Sequence, residues 1–177
     1  MRPLILLTFL LGLSCSSANK SKETDAQTNR PYFDFDQVLY FESQIQESEI
    51  NKFVTNNDSS SNQRLLSDVL LNDSPKYLSS LDTNILERRC GYNKRRLGTT
   101  SVISINKIFS ERDSAELRST KCMPVYRDIL VLLKSNKITG LAKICFECEQ
   151  YYFVGQLIET KYFGNKDDYL RLKRALE

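Results

Sequence analysis

Four cysteines in the second half of the chain are the residues most capable of chemistry. They are Cys90, Cys122, Cys145 and Cys148. An even number of cysteines fits structural disulfides, and four cysteines allow three different pairings. The Cys145-x-x-Cys148 spacing also fits a redox dithiol, and four thiolates together could hold zinc. Disulfides or plain buried thiols are the favoured interpretation, with redox activity and zinc binding as the alternatives.

Two observations weigh against those alternatives. Glu147 and Glu149 flank Cys148, and nearby negative charge raises the pKa of a thiol, whereas a reactive dithiol needs it lowered. A zinc site would have to complete one CxxC pair with Cys90 and Cys122, which lie far apart in the sequence.

The chain contains no histidine. This excludes Ser-His-Asp and Cys-His catalysis in their usual forms, as well as zinc or copper held by histidine. We recognise no other catalytic set. The sequence therefore favours a protein that is not an enzyme and that needs no cofactor, zinc being the one exception considered.

A fifth cysteine, Cys15, follows a segment typical of a bacterial lipoprotein signal. Arg2 supplies a positive charge, residues 4–13 are apolar, and Ser14 precedes the cysteine. An apolar run of about 10 residues suits a signal peptide and is too short to span a membrane. We expect residues 1–14 to be the signal peptide, the Cys15 thiol to take a diacylglycerol, and the new N-terminus to carry an acyl chain such as palmitate. Cleavage elsewhere, which would leave Cys15 as a plain thiol, is the alternative.

Composition then divides the mature chain into two parts. Residues 16–30 contain no aromatic or large aliphatic side chain, so we predict that residues 15–30 form the lipidated cysteine and a flexible tether. Residues 31–177 suffice for one domain. These features predict a lipoprotein of the bacterial cell envelope, with the outer membrane favoured.

The charge of the chain bears on its partners. A formal net charge of +3 is too balanced to indicate nucleic acid. A local basic cluster could contact an anionic glycolipid or an acidic envelope protein, although a solvated helix end and loop is the favoured interpretation. The cluster consists of Arg88, Arg89, Lys94, Arg95 and Arg96.

Periodicity predicts the elements of the N-terminal half. Residues 37–41 are rich in β-branched and aromatic side chains and predict a strand. Apolar residues at helical spacing predict helices over 48–54 and 65–70, and a third that begins at Ser74 and Pro75 and ends before Gly91. Residues 102–109 alternate around Ile103 and Ile105 and predict a strand.

The C-terminal half contains the clearest motif, a hairpin of residues 128–133 and 138–146. A strand over 151–158 and a closing helix over 167–176 follow. The predicted class is α+β, with helices in the N-terminal half, an antiparallel sheet in the C-terminal half and a C-terminal helix. Alternation in the second hairpin arm places Cys148 toward the core and Cys145 on the opposite face.

The hairpin gives one weak indication of the cysteine pairing. A three-residue loop, Lys134-Ser135-Asn136, sets Cys122 opposite Cys148, whereas a two-residue loop sets it opposite Glu149. Pro124 could also end the pairing before Cys122. The disulfide connectivity therefore stays open.

The segment from Cys122 to Cys148 also resembles a known group. A Cys122-x-Pro124 motif, a YRDIL strand at residues 126–130 and an ICFEC strand at residues 144–148 are similar to motifs of small uncharacterised bacterial lipoproteins. The resemblance is strongest over residues 122–156. It implies that Cys122, Cys145 and Cys148 belong to one structural cluster, and it implies no activity.

Overall fold

A five-stranded sheet forms the centre of the fold, and the computed structural model describes residues 30–55, 60–111, 121–160 and 162–177. The strands are β1 (Gln37–Glu42), β2 (Asn93–Arg96), β3 (Asp128–Lys134), β4 (Lys137–Cys145) and β5 (Gln150–Val154). Their order is β2-β1-β3-β4-β5, and every neighbouring pair is antiparallel.

Five helices accompany this sheet within the described residues. They are α1 (Glu47–Thr55), α2 (Ser61–Leu71), α3 (Thr83–Arg88), α4 (Thr99–Ile108) and α5 (Lys166–Leu176). Ser60 and Gln63 form a capping box at the start of α2, which satisfies backbone N–H groups that the first helical turn leaves unpaired. The α+β class, with its C-terminal hairpin and closing helix, is confirmed. No helix in the described ranges is long and apolar enough to cross a membrane.

Both faces of the sheet are covered, which explains why β3 reads as a continuous apolar run. Leu130 and Leu132 pack in the core shared with α4 and α5. Ile129 and Val131 face the second core, to which α2 and α3 contribute. A strand buried on both faces needs apolar side chains at odd and even positions alike.

The predicted hairpin is confirmed, with the shorter of the two loops. Lys134 pairs with Lys137, and Ser135 and Asn136 form the turn at φ values of 49° and 63°, a conformation that asparagine tolerates well. The register shifts between Leu132 and Leu133. Because β3 begins only at Asp128, the ladder does not extend to Cys122, so hairpin register cannot set the cysteine pairing.

The predicted strand over residues 102–109 is wrong, because this segment is α4. Ile105 and Ile108 are buried, whereas Ile103 is 51% exposed. The apolar residues fit a helical stripe as well as an alternating one, and a short segment does not distinguish the two. Packing of this helix against α5 decides the matter.

The predicted helix start at Ser74 and Pro75 is also wrong. A cis peptide bond joins these residues, a 3₁₀ turn follows at Leu78–Ser80, and α3 begins after Asp82, whose side chain accepts a hydrogen bond from the N–H of Asn84. Gly91 has φ of +70°, but the C-cap of α3 is Arg89, so the predicted C-cap glycine lies two residues beyond the C-cap position.

Candidate functional site

Three of the four domain cysteines meet at the end of β4. Cys145 is the last residue of that strand, and residues 146–149 form the turn that leads into β5, with Glu149 at φ of +50°. Cys145, Cys148 and Tyr126 share one small buried cluster. The expectation that Cys145 and Cys148 lie on opposite faces is therefore wrong, because strand alternation ends before Cys148.

A disulfide joins Cys122 to Cys148. Their Cα atoms lie 5.6 Å apart, and the side-chain amide of Gln150 donates a hydrogen bond of 2.7 Å to the carbonyl oxygen of Cys122. Cys148 is buried, whereas Cys122 is exposed. The bond thus connects a buried residue to an exposed one, and it ties the segment before β3 to the β4–β5 turn.

Cys145 is a free thiol beside this bond. The backbone N–H of Val125 donates to its Sγ at 3.4 Å, and the thiol donates to a Glu147 carboxylate oxygen at 3.8 Å. Burial raises the pKa of Cys145, and the N–H groups of Val125 and Cys148 oppose that rise by stabilising the thiolate. Cys145 therefore rests as a protonated thiol near neutral pH.

A cleft of about 300 Å³ opens beside the cysteine cluster. Arg127 and Glu147 form an ion pair of 3.2 Å at its edge, and the Arg127 guanidinium also donates to the carbonyl oxygen of Ile45. Residues of α1, including Glu47 and Ile50, line the other side. The three sulfurs are therefore next to a space large enough for a small group or a peptide side chain.

Cys90 lies apart from the other cysteines. It is a free, buried thiol in the core to which α2 and α3 contribute, and burial raises its pKa. Cys90 thus belongs to a different core cluster from Cys145 and Cys148, and zinc binding by all four cysteines stays a prediction. Among the described residues, no group of three or more cysteine or carboxylate side chains is arranged to hold a metal ion.

The basic cluster is divided between a helix end and a strand. Arg88 ends α3, and the last three residues belong to β2, an edge strand that the sequence did not predict because all four of its residues are polar and exposed. Lys94 pairs with Glu87 at 3.5 Å, and Arg95 donates to the carbonyl oxygen of Leu176. The expected loop is thus corrected to an edge strand, and charged side chains on an edge strand oppose pairing with other chains.

A second cleft, of about 430 Å³, was not predicted from the sequence. Tyr40 donates a hydrogen bond of 2.5 Å to Asp128, and the Arg95 guanidinium lies 4.8 Å from the Tyr40 ring centroid. Burial raises the pKa of Asp128 to about 6, against the lowering effect of the Tyr40 hydrogen bond. Tyr40 and Asp128 lie 88 positions apart, so no local spacing indicates their contact.

Lys143 is the other unpredicted feature. This β4 residue has no solvent exposure, and its ammonium group donates to the carbonyl oxygens of Asn72 at 2.6 Å and Ser74 at 3.0 Å. It also lies over the rings of Tyr126 and Tyr152. Burial lowers its pKa to about 8. In sequence it resembles any outward-facing strand lysine.

Comparison with protein-family models, with curated proteins and with solved structures finds no match to this chain. Cys15, the predicted lipidation site, and all of the predicted tether except Arg30 lie outside the described residues.

Proposed function

We propose that this protein is a lipid-anchored component of the bacterial envelope whose α+β domain binds or scaffolds another envelope component. The observation that carries the proposal is the lipoprotein-type segment ending at Cys15. A tether of about 15 residues would place the domain on the order of 20 Å from the headgroups. The absence of histidine supports a binding role over an enzymatic one.

Replacement of the lipidated cysteine tests the anchoring. The full-length chain and its Cys15→Ala variant would be expressed in a bacterium and separated into membrane and soluble fractions. We expect the wild type in the membrane fraction, with an N-terminal peptide whose mass includes a diacylglycerol, and the variant in the soluble fraction. Cys90→Ala is the matched control. Membrane retention of Cys15→Ala, or an unmodified Cys15 peptide from the wild type, would refute the proposed anchoring.

An acidic envelope protein or an anionic glycolipid would suit the basic cluster at the end of α3 and on β2, but several residues of that cluster already have partners. Arg89 donates to Asn62 at 2.9 Å, in addition to the Lys94 and Arg95 contacts. Pull-down with an Arg88→Ser/Arg96→Ser variant would test this surface, and unchanged partners would remove it from consideration.

We infer a second candidate function, thiol chemistry at Cys122, Cys145 and Cys148. One observation favours it: a free thiol packs in the same buried cluster as the Cys122–Cys148 disulfide. The test is whether the reduced protein reduces a model peptide disulfide, and whether it binds zinc. Cys90→Ala should retain any activity and Cys148→Ala should lose it. An inert reduced protein without bound zinc would refute this candidate.

A further inference from the structure

We propose that the disulfide at the end of β4 exchanges within the protein, so that Cys145 bonds to Cys148 and Cys122 becomes a surface thiol that forms mixed disulfides with cysteines of other proteins. This inference rests on the second candidate function, thiol chemistry at the cysteine cluster, and names its partner class. It requires no bound metal and no external oxidant for the internal step.

The geometry of the β4–β5 turn brings the reacting groups together. The backbone N–H of Cys148 is hydrogen-bonded to the sulfur of Cys145, so these residues lie within one tight turn. Both side chains occupy the small cluster with Tyr126. A cysteine pair separated by two residues forms disulfides readily in thiol–disulfide oxidoreductases, so the new bond would suit this spacing.

The internal step balances in atoms and electrons. The Cys145 thiol, which is hydrogen-bonded to a carboxylate oxygen of Glu147 at 3.8 Å, releases its proton to solvent. The Cys145 thiolate attacks Cys148 Sγ, the Cys145–Cys148 bond forms, and the Cys122–Cys148 bond breaks. Cys122 leaves as a thiolate and takes up a proton at equilibrium. One disulfide and one thiol are present before and after the step, so nothing is oxidised or reduced overall.

The three cysteine residues differ in exposure, and the exchange would move the free thiol from a buried residue to an exposed one. Cys145 and Cys148 are 2% and 4% exposed, whereas Cys122 is exposed. Met123, its neighbour, is 65% exposed and offers an apolar contact for an extended polypeptide. The Cys122 thiolate would attack a disulfide of the partner, form a bond to one partner sulfur, and release the other as a thiol.

Charge and burial around Cys145 set the expected rate. The resting thiol is protonated, so only a small thiolate fraction is available for attack near neutral pH. The rate should rise about tenfold per pH unit while the pH is below the pKa of Cys145. The titratable and charged groups around it are Glu47 of α1, Tyr126, Arg127, Glu147, Tyr152 of β5 and Tyr169 of α5.

Native alkylation tests the exchange. The oxidised full-length protein would be incubated with N-ethylmaleimide without reductant at pH 7 and pH 8, then unfolded and mapped by peptide mass. We expect alkylated Cys122 together with a Cys145–Cys148 bridge, formed about ten times faster at pH 8. Cys145→Ala should abolish Cys122 alkylation, and Cys90→Ala, which removes a buried thiol elsewhere, should leave it unchanged.

A second readout separates this inference from the function on which it depends. The exchange is supported if Cys122 is alkylated in the wild type but not in Cys145→Ala. It is supported further if added glutathione disulfide leaves a mixed disulfide of glutathione on Cys122. An unalkylated Cys122, in a protein that still reduces a model peptide disulfide after pre-reduction, overturns the exchange and leaves the thiol function standing. Cys122 alkylation that persists in Cys145→Ala also overturns it. If Cys122 is not alkylated and the pre-reduced protein also fails to reduce the model peptide disulfide, both the exchange and the thiol function are refuted.

Discussion

Lys143 and Asp128 are ionisable residues that the fold holds away from water. An unpaired buried ammonium would be very costly, and here two carbonyl oxygens and two tyrosine rings compensate for lost hydration. Lys143 thereby fixes the Asn72–Ser74 segment to the sheet. Asp128 instead borders a cleft, and carboxylates with raised pKa values in clefts are common at binding sites.

Lys143→Met should remove a pH-dependent part of the stability. The folded pKa is lowered to about 8 from an ordinary value of 10.5. Between these values the unfolded chain binds more protons than the folded chain, so this group makes the free energy of unfolding rise with pH, by about 3 kcal/mol over the whole window. Urea unfolding at several pH values should show that rise in the wild type relative to Lys143→Met.

Lys137→Met is the matched control, since Lys137 is an exposed lysine on the same strand. The comparison between variants cancels the titration of cysteines and tyrosines, which also occurs in alkaline solution. A wild type and a Lys143→Met variant whose stabilities change in parallel between pH 8 and 10 would contradict the prediction.

Asp128→Asn should stabilise the protein at neutral pH. The folded pKa of about 6 exceeds the ordinary 3.8. The contribution of this carboxyl to the free energy of unfolding is therefore fully present below pH 3.8 and is lost as pH rises through 6. Asparagine removes the buried charge and still accepts the Tyr40 hydrogen bond. We expect a gain of about 1–2 kcal/mol at pH 7 that shrinks toward pH 4. A stability difference between variant and wild type that stays the same from pH 4 to pH 7 would contradict the prediction.

At the scale of elements, a glycine in β4 lies where the core leaves no room for a side chain. Gly140 lies opposite Leu132, and an added Cβ would lie 2.6 Å from Cδ1 of the Phe33 ring. That ring belongs to a cluster with Phe109 and Phe153, whose centroids lie 5.2–5.6 Å from it. The glycine thus makes room for an aromatic core beneath the hairpin.

Gly140→Ala should therefore destabilise the domain by about 1–3 kcal/mol, because the ring cannot move without disturbing its neighbours. Thermal unfolding gives the measurement. Gly98→Ala is the matched control, since its Cβ would meet no atom within 4 Å, and its effect should be below about 1 kcal/mol. Equal effects of the two substitutions would show that the core adapts to the extra methyl group.

Elements defined by local signals were predictable, and those defined by contacts were not. The hairpin has apolar arms and an asparagine suited to its turn, and α2 and α5 have caps and helical stripes, so their own residues specify them. The α4 segment fits two periods, and β2 has no apolar residue at all. Packing on α5 and pairing with β1 specify these two, and neither contact is visible in local sequence.

At the scale of the whole molecule, the disulfide joins two segments that the sheet does not pair. It closes a loop with a sequence separation of 26 that contains β3 and β4. The loop spans both hairpin arms, so the bond restricts the unfolded chain more than it adds contacts to the folded one. Its contribution to the free energy of unfolding should therefore come mainly from the conformational entropy that the closed loop removes from the unfolded chain.

The double variant Cys122→Ser/Cys148→Ser should lose about 3 kcal/mol in the free energy of unfolding. Urea denaturation of the oxidised wild type and the variant gives the comparison, and both serines avoid an unpaired thiol. Dithiothreitol should lower the stability of the wild type and leave the variant unchanged. Equal stability of variant and oxidised wild type would mean that the bond serves exchange and not stability.

The sequence by itself determined the fold class, the hairpin and the closing helix, because periodicity and turn chemistry are properties of adjacent residues. It also supplied the lipoprotein-type segment at Cys15, on which the proposed location depends. Tertiary structure alone decided that Cys122 bonds to Cys148, that Tyr40 meets Asp128 and that Lys143 is buried against Asn72. Partners in the last two contacts lie 88 and 71 positions apart, and only packing of the helices and sheet brings such distant residues together.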